Sequence, residues 1–312
     1  MGLFDRFIKV EHAPACDEKN ATAGTRQDAA QLLEEGMALE EQGQLDEALK
    51  LYETAIRLMP ELARAHFNRG NILLDRGDAT GALDAYAKAV EYKPDSAAIH
   101  YNIGSAHLHL GHAEAAITAC HQAIALKPDF ADAQVTLGLA LEKLGQHHNA
   151  VACYQRAVEI KPDSAEMHNN LAVALMELKL FKQAIASFDV ALALRPDYTE
   201  AHHNRGIAFQ DLGQFDEAVL SYRRALTINS ELAEVHTNLG SALKELGKLD
   251  EAMARYSRAL EINPALADAH YNYGVALQKQ GRLDDAAACY QRTLKIRPDH
   301  VPACNSMGAV LG

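Results

Sequence analysis

The chain has 312 residues, of which 48% are hydrophobic and 23% charged, a composition typical of a folded protein. Its net charge of −12 argues against binding to nucleic acid, whose phosphates require a basic surface, and against adhesion to anionic lipid. No apolar run reaches the roughly 18 residues of a membrane-spanning helix. The five cysteines are scattered without a C-x-x-C pair, so we expect a cytoplasmic protein with reduced thiols.

The first 28 residues stand apart from the rest of the chain. Leu3, Phe4, Phe7 and Ile8 form a short apolar stripe, but no secretory signal is recognisable. The stripe could pack onto its neighbour as a cap, touch a membrane or stay disordered. Because membrane binding by so short a stripe would be weak, we expect residues 1–28 to be a flexible N-terminal arm or cap.

A period of 34 residues runs through the remaining sequence. Seven of the nine prolines follow it, and Ser230 takes the place of the one that is missing. These prolines are Pro60, Pro94, Pro128, Pro162, Pro196, Pro264 and Pro298. Self-similarity at a fixed period predicts a repeat architecture. With position 1 of the first repeat at Ala29, the chain contains eight full repeats, 29–62 to 267–300, and a ninth that begins at Val301.

Each repeat is predicted to form two helices. In repeat seven they span about 233–246 and 250–262. Gly247 between them can adopt the left-handed conformation without steric cost, and Pro264 follows the end of the second helix. Alanine at position 20 and small residues at positions 8 and 27 predict close helix crossings. An aromatic residue at position 24 should fill the gap in every repeat except the third, which carries Cys120 there. One such hairpin cannot bury its own apolar face, so neighbouring repeats must stack.

The residue types at positions 7, 8, 11, 20, 24, 27 and 32 resemble the signature of the tetratricopeptide repeat (TPR) family over residues 29–312. The resemblance implies an all-α fold, a right-handed superhelical solenoid of stacked helix-turn-helix repeats. It is specific for the fold and much less so for function, because such repeats serve many unrelated proteins.

Two departures from the repeat pattern have structural consequences. Repeat five carries Ala172 and Lys179 where the other repeats carry glycine. Either Lys179 adopts a left-handed conformation, at a cost of about 1 kcal/mol, or the turn differs there. The ninth repeat contains a single helix, which fits either a capping helix or a longer parent protein.

The first helices of such a solenoid should line a concave groove, with positions 2, 5, 6, 9, 12 and 13 facing it. Position 6 is asparagine in six repeats: Asn68, Asn102, Asn170, Asn204, Asn238 and Asn272. Asparagine is a poor mid-helix residue, and its amide both donates and accepts hydrogen bonds. We therefore interpret the six residues as a ladder that binds the backbone of an extended peptide. The alternative is that they form hydrogen bonds within their own scaffold.

The segments ADAHYNYG (267–274) and AEVHTNLG (233–240) look like the repeats that precede the catalytic region of O-linked N-acetylglucosamine transferases. That resemblance implies that the asparagine ladder holds extended protein substrates. We add His203, Thr237 and Tyr271 to the predicted peptide-binding site as neighbours of the ladder. Acidic residues at position 2 should favour basic partners. They are Asp132, Glu166, Glu200, Glu234 and Asp268.

Histidine recurs at position 4 in six repeats, where a structural role in packing is favoured over a metal ladder. His107, His109 and His112 are closer in sequence, but their spacing does not bring all three to one helix face, so no metal site is predicted. The sequence contains no catalytic motif and no cofactor-binding motif.

These observations predict a non-catalytic scaffold that binds an extended peptide or partner protein in its groove, with no cofactor. The alternative is the substrate-recruiting TPR region of a larger enzyme, such as a glycosyltransferase. The sequence leaves the oligomeric state open.

Overall fold

The computed structural model describes residues 23–311, which form seventeen α-helices and no β-strand. The chain divides into two compact units, unit 1 (Met1–Pro162) and unit 2 (Asp163–Gly312). The described part of unit 1 comprises α1 (Ala23–Glu41), α2 (Leu45–Leu58), α3 (Ala63–Asp75), α4 (Ala79–Tyr92), α5 (Ala97–His109), α6 (Ala113–Leu126), α7 (Ala131–Lys143) and α8 (His147–Ile160). That of unit 2 comprises α9 (Ala165–Glu177), α10 (Phe181–Leu194), α11 (Thr199–Asp211), α12 (Phe215–Ile228), α13 (Ala233–Glu245), α14 (Leu249–Ile262), α15 (Ala267–Lys279), α16 (Leu283–Ile296) and α17 (Val301–Leu311).

Within each unit, the two helices of a repeat pack on each other, and the second helix also packs on the first helix of the next repeat. The predicted all-α stack of helix-turn-helix repeats is therefore confirmed. The helices of repeat seven end within one residue of the predicted bounds. Helix α1 begins at Ala23 and so includes the described part of the predicted arm, whereas the apolar stripe Leu3, Phe4, Phe7 and Ile8 lies outside the described residues.

The turn inside each repeat depends on a left-handed residue at position 15. The seven glycines at this position have φ between 71° and 81°. Lys179 occupies the same position in repeat five and has φ of 59°. The first of the two predicted alternatives is thus confirmed. The turn is retained, and Lys179 adopts the left-handed conformation although its Cβ atom makes that conformation unfavourable.

The core of each repeat forms where its two helices cross. In repeat seven a Cβ atom at Gly240 would lie 2.6 Å from Cε1 of Tyr256, so this crossing has no room for a larger residue. Ala252 and Ala259 are fully buried at positions 20 and 27. The predicted roles of the small residues and of the position-24 aromatic residue are confirmed.

In five repeats the position-4 histidine connects the first helix to the end of the preceding repeat. The Nε2 atoms of His236 and His270 lie 3.0 Å from the carbonyl oxygens of Ser230 and Pro264, respectively. The same contact is made by His66, His100 and His202. Because the acceptor is a backbone carbonyl, serine at position 32 serves as well as proline. The predicted structural role of these histidines is confirmed.

Candidate functional site

The first helices of unit 2 form one continuous surface. Helix α11 contacts α9 and α13, and α15 contacts α13 and α17, whereas no contact of that extent joins successive second helices within residues 163–311. The first helices therefore line the inner side of the curve of this unit. We call the surface at positions 2, 5 and 6 of α9, α11, α13 and α15 the inner face. Its residues are Glu166, Asn169, Asn170, Glu200, His203, Asn204, Glu234, Thr237, Asn238, Asp268, Tyr271 and Asn272.

Four of the predicted ladder asparagines occupy position 6 of these helices. Asn170, Asn204, Asn238 and Asn272 are all half-buried, so each keeps part of its side chain accessible. Within the described residues, the amides of Asn170, Asn204 and Asn272 form no side-chain hydrogen bond. These three amides can therefore offer a donor and an acceptor to a ligand.

Asn238 differs from the other three because its amide is engaged. Its Nδ2 lies 3.0 Å from Nε2 of His203 on the preceding first helix, so that the amide donates to an unprotonated ring nitrogen. Burial lowers the pKa of His203, while the nearby carboxylates of Glu234 and Glu200 act in the opposite direction. The lowered pKa keeps the ring neutral near pH 7, as the hydrogen bond from Asn238 requires.

The position-2 acids of unit 2 fall into two groups. Oε1 of Glu166 accepts a hydrogen bond of 2.7 Å from Arg195, and Oδ1 of Asp268 accepts one of 3.2 Å from Arg297. Both arginines stand at position 31 of the same repeat. Glu200 and Glu234 are exposed, and no Lys or Arg nitrogen within the described residues lies within 4.0 Å of either carboxylate. Glu166 and Asp268 therefore have intramolecular counter-ions, whereas Glu200 and Glu234 have none within the described residues. That the position-2 acids favour basic partners stays a prediction.

The two remaining predicted neighbours of the ladder differ in accessibility. Thr237 is 4% exposed, and its hydroxyl donates to the carbonyl of Ala233 at 2.9 Å, so it contributes to the scaffold. Tyr271 is half-buried, with its ring centroid 4.8 Å from that of His300 and 5.9 Å from that of Tyr290. The ring of Tyr271 is thus in contact with two other rings, and part of the residue stays accessible beside Asn272.

The two ladder asparagines of unit 1 are buried. Asn102 is fully buried and donates from Nδ2 to Oδ1 of Asn71 at 2.8 Å. The same oxygen of Asn71 accepts a hydrogen bond from Tyr86 at 2.9 Å. Asn68 is 8% exposed. The structure therefore places Asn68 and Asn102 in the packing of unit 1 and the other four ladder residues on the inner face of unit 2.

The histidines predicted not to form a metal site are close together only in part. The ring centroids of His107 and His112 lie 5.9 Å apart. Across residues 23–311, no group of three or more His, Cys, Asp or Glu side chains is arranged to hold a metal ion. Over the same residues, none of the helices has both the length and the apolar character that crossing a bilayer requires.

Sequence reasoning missed the residues at position 31. Arg195 and Arg297 neutralise position-2 acids, whereas Asn229 and Asn263 stand at the same position in repeats six and seven. The sequence contains this difference, because an alignment of repeats five to eight shows arginine at position 31 in two of them and asparagine in the other two. What the alignment could not give is the contact itself, which joins residues 29 positions apart.

Comparison with solved structures places the fold among known repeat proteins. The APC/C hetero-tetramer Cut9–Hcn1 is 17% identical with a TM-score of 0.61, and the match covers 93% of this chain and 57% of the other. YrrB, a TPR protein with an unusual peptide-binding site, is 24% identical with a TM-score of 0.52, covering 62% of this chain and 99% of its own. PilF of Pseudomonas aeruginosa is 18% identical with a TM-score of 0.59, and the match covers 68% of this chain and 97% of the PilF chain.

Comparison with curated proteins gave no significant sequence match. The family profiles are more informative. The profile described as "Tetratricopeptide repeat" matches residues 33–91, 71–131 and 135–199, and a second profile of that description matches 267–300. A profile described as "TPR repeat" matches 209–247 and 240–281. Since the first of these alone covers more than half of the sequence, this chain belongs to the tetratricopeptide repeat family.

Proposed function

We propose that the protein is a non-catalytic interaction scaffold that holds an extended polypeptide along the inner face of unit 2. One observation carries this proposal: Asn170, Asn204 and Asn272 recur at one helical position with amides that form no side-chain hydrogen bond in the described residues. An amide pairs with the peptide backbone whatever the side chains of the peptide are. The inner face would therefore bind extended segments, with sequence preference set by neighbouring residues.

The energetics predict weak binding by the ladder alone. Each amide contributes about 0.5–1.5 kcal/mol net, so the ladder supplies a few kcal/mol in total. Ordering a flexible peptide and losing its free motion cost at least as much. Affinity from the ladder alone is then on the order of micromolar to millimolar. Tyr271 adds an aromatic contact beside Asn272, which raises affinity for a peptide with an apolar residue at that point.

The comparisons support this proposal at the level of the fold. YrrB is described as a TPR protein with a peptide-binding site, so the architecture is compatible with peptide binding. We further propose a cytoplasmic location. Cys120, Cys153, Cys289 and Cys304 are free thiols, as a reducing compartment would keep them.

The test starts from a library of random 12-residue peptides displayed on phage and selected on the full chain. A selected peptide is then titrated by fluorescence anisotropy against the native protein and against a variant with alanine at Asn170, Asn204, Asn238 and Asn272. Alanine favours helix, so the fold should be retained. We expect affinity to fall by about tenfold or more, as the loss of several net hydrogen bonds requires.

The matched control removes amides from elsewhere in unit 2. Gln183→Ala with Gln291→Ala changes exposed residues on the second helices α10 and α16, and the peptide should bind this variant normally. Unchanged affinity in the folded asparagine variant, or failure to select any peptide, would contradict the proposal.

A second candidate function uses the same surface. The ladder would equally serve a TPR region that recruits protein substrates to a glycosyltransferase, as the resemblance of 233–240 and 267–274 implies. Affinity capture from the native host, followed by mass spectrometry, separates the two functions. Recovery of glycosyltransferase peptides would favour the recruiting role.

A further inference from the structure

The position-2 carboxylates of the inner face form two pairs that differ in the residue at position 31 of their repeats. In repeats five and eight, the position-2 carboxylate holds a guanidinium group supplied by position 31, with N–O distances of 2.7 Å for Arg195–Glu166 and 3.2 Å for Arg297–Asp268. The structure thus shows twice which chemical group a position-2 carboxylate binds on this surface.

In repeats six and seven the intramolecular guanidinium is missing. Position 31 is Asn229 in repeat six and Asn263 in repeat seven. The side-chain oxygens of both asparagines are used locally, since each accepts a hydrogen bond of 3.0 Å from the backbone nitrogen two residues later. Neither asparagine is therefore a counter-ion for the carboxylate at position 2, and an asparagine side chain carries no charge.

The position-2 carboxylates of repeats six and seven, Glu200 and Glu234, lie on successive first helices and are both exposed. His203 is near both of them, because the charges of both carboxylates act on its pKa. The hydrogen bond from Asn238 keeps its Nε2 atom unprotonated, so His203 supplies no positive charge to the pair. Within the described residues, no Lys or Arg nitrogen lies within 4.0 Å of either carboxylate.

We propose that Glu200 and Glu234 bind two cationic side chains of the extended peptide, in the way that Arg195 and Arg297 occupy the equivalent sites in the flanking repeats. This inference rests on the proposed peptide-binding function and specifies the chemistry of the partner. Arginine fits better than lysine, because its planar guanidinium matches a carboxylate with two parallel donors.

The spacing of the two sites predicts the spacing of the two cations. Packed helices lie about 8–10 Å apart, and a peptide in the extended polyproline II conformation rises about 3.1 Å per residue with about three residues per turn, so that residues i and i+3 lie on the same side. Neighbouring repeats are therefore bridged by about three residues of peptide. A partner segment should carry arginine at positions i and i+3, with its backbone running past Asn204 and Asn238.

The probes are fluorescein-labelled 12-residue peptides of glycine, serine and threonine that differ only at positions i and i+3. One carries two arginines, one two lysines and one two glutamines. With the full chain at low salt, we expect the arginine peptide to bind about two- to tenfold more tightly than the glutamine peptide, because exposed ion pairs are individually weak. Raising the ionic strength should reduce this ratio toward one.

Two variants test the assignment from opposite directions. Glu200→Gln with Glu234→Gln should remove the preference for arginine over glutamine. Asn229→Arg with Asn263→Arg should remove it as well, because the chain would then fill both sites with its own guanidinium groups. The control Glu217→Gln with Asp284→Asn removes two exposed acids from the first turns of second helices and should leave the preference unchanged.

The outcomes separate this inference from the proposed function. Equal binding of the arginine and glutamine peptides, with both lost in the four-asparagine alanine variant, would overturn the cation sites and leave the ladder in place. A preference for arginine that survives Glu200→Gln with Glu234→Gln would also overturn them. If none of the peptides binds the native chain at millimolar concentration, both proposals fail.

Discussion

The hydroxyl group of the position-24 tyrosine is matched by an acceptor elsewhere in its own repeat. Tyr222 donates to Oε1 of Gln210 at 3.1 Å, and Tyr290 donates to Oε1 of Gln278 at 2.6 Å. Each acceptor stands at position 12. In repeat seven the acceptor is Ser241, at position 9. A buried hydroxyl needs a hydrogen-bond partner, so the tyrosine and its acceptor belong together as a pair.

Repeat five lacks both the tyrosine and its acceptor. Phe188 replaces the tyrosine, while Met176 and Val173 stand at positions 12 and 9, where the other repeats offer an acceptor. Ala172 also replaces the glycine that faces the ring. We therefore expect Phe188→Tyr to lower the free energy of unfolding by about 1–3 kcal/mol, because the new hydroxyl would be buried without a partner.

Chemical denaturation of the Phe188→Tyr variant measures this effect. Tyr222→Phe is the matched comparison, since it removes a satisfied hydroxyl and should cost only about 1 kcal/mol. A Phe188→Tyr variant as stable as the native chain would show that the hydroxyl finds an acceptor that the native structure does not reveal.

Lys179 gives a second prediction at the scale of a residue. Its φ of 59° falls in the left-handed region, where a Cβ atom costs roughly 1–2 kcal/mol. Lys179→Gly removes that cost, while the greater freedom of glycine in the unfolded chain offsets part of the gain. We expect a net stabilisation of about 0.5–1 kcal/mol in chemical denaturation. Lys179→Ala is the control, because it retains the Cβ atom and should bring no comparable gain.

At the scale of the elements, position-4 histidines join first helices to the end of the preceding repeat. Burial lowers the pKa of His66, His202 and His236 below the ordinary value of 6.5. The Nδ1 atoms of His202 and His236 are buried, and within the described residues they have no hydrogen-bond partner. The folded repeat therefore favours the neutral ring, in which only Nε2 carries a proton.

This arrangement predicts how stability depends on pH. In the unfolded chain, His66, His202 and His236 bind protons with a pKa near 6.5, whereas in the folded chain they bind protons only at lower pH. The unfolded state thus binds more protons in this range, and the free energy of unfolding falls as pH drops below about 6.5. Urea denaturation at pH 7.5, 6.5 and 5.5 measures the slope. Replacing His202 and His236 by asparagine should make it shallower, and a flat native profile would contradict the prediction.

At the scale of the whole molecule, each repeat contacts mainly its neighbours, so stability should be a sum of local contributions. Ala218→Leu tests this in unit 2. Ala218 is fully buried in a cluster with Tyr222, Leu239 and Tyr256. The larger side chain should overpack the crossing and cost ~1–3 kcal/mol.

Native-state hydrogen exchange locates that loss. Amide protection should fall in α12 and α13, whereas α3 to α6 of unit 1 should keep their native protection. The exposed substitution Ala254→Leu on α14 is the control and should leave exchange nearly unchanged. A uniform loss of protection across both units would show that the repeats unfold as one cooperative body.

The sequence by itself determined the repeat register, the helix bounds and the left-handed turns, because these follow from local rules. Gly247 and Pro264 mark helix ends through their own backbone preferences, and even the strained Lys179 could be anticipated from its position in the period. A repeated sequence also predicts stacking, since one hairpin cannot bury its apolar face.

Only the tertiary structure decided which polar side chains remain available for binding. Asn102 and Asn204 occupy the same position of their repeats, yet Asn102 bonds to Asn71 of the preceding repeat, while Asn204 makes no side-chain hydrogen bond in the described residues. Likewise, Glu166 is neutralised and Glu234 is not. These differences depend on distances between residues about one repeat apart in the chain. Such distances are set by how helices pack, and the residue type at a single position does not contain them.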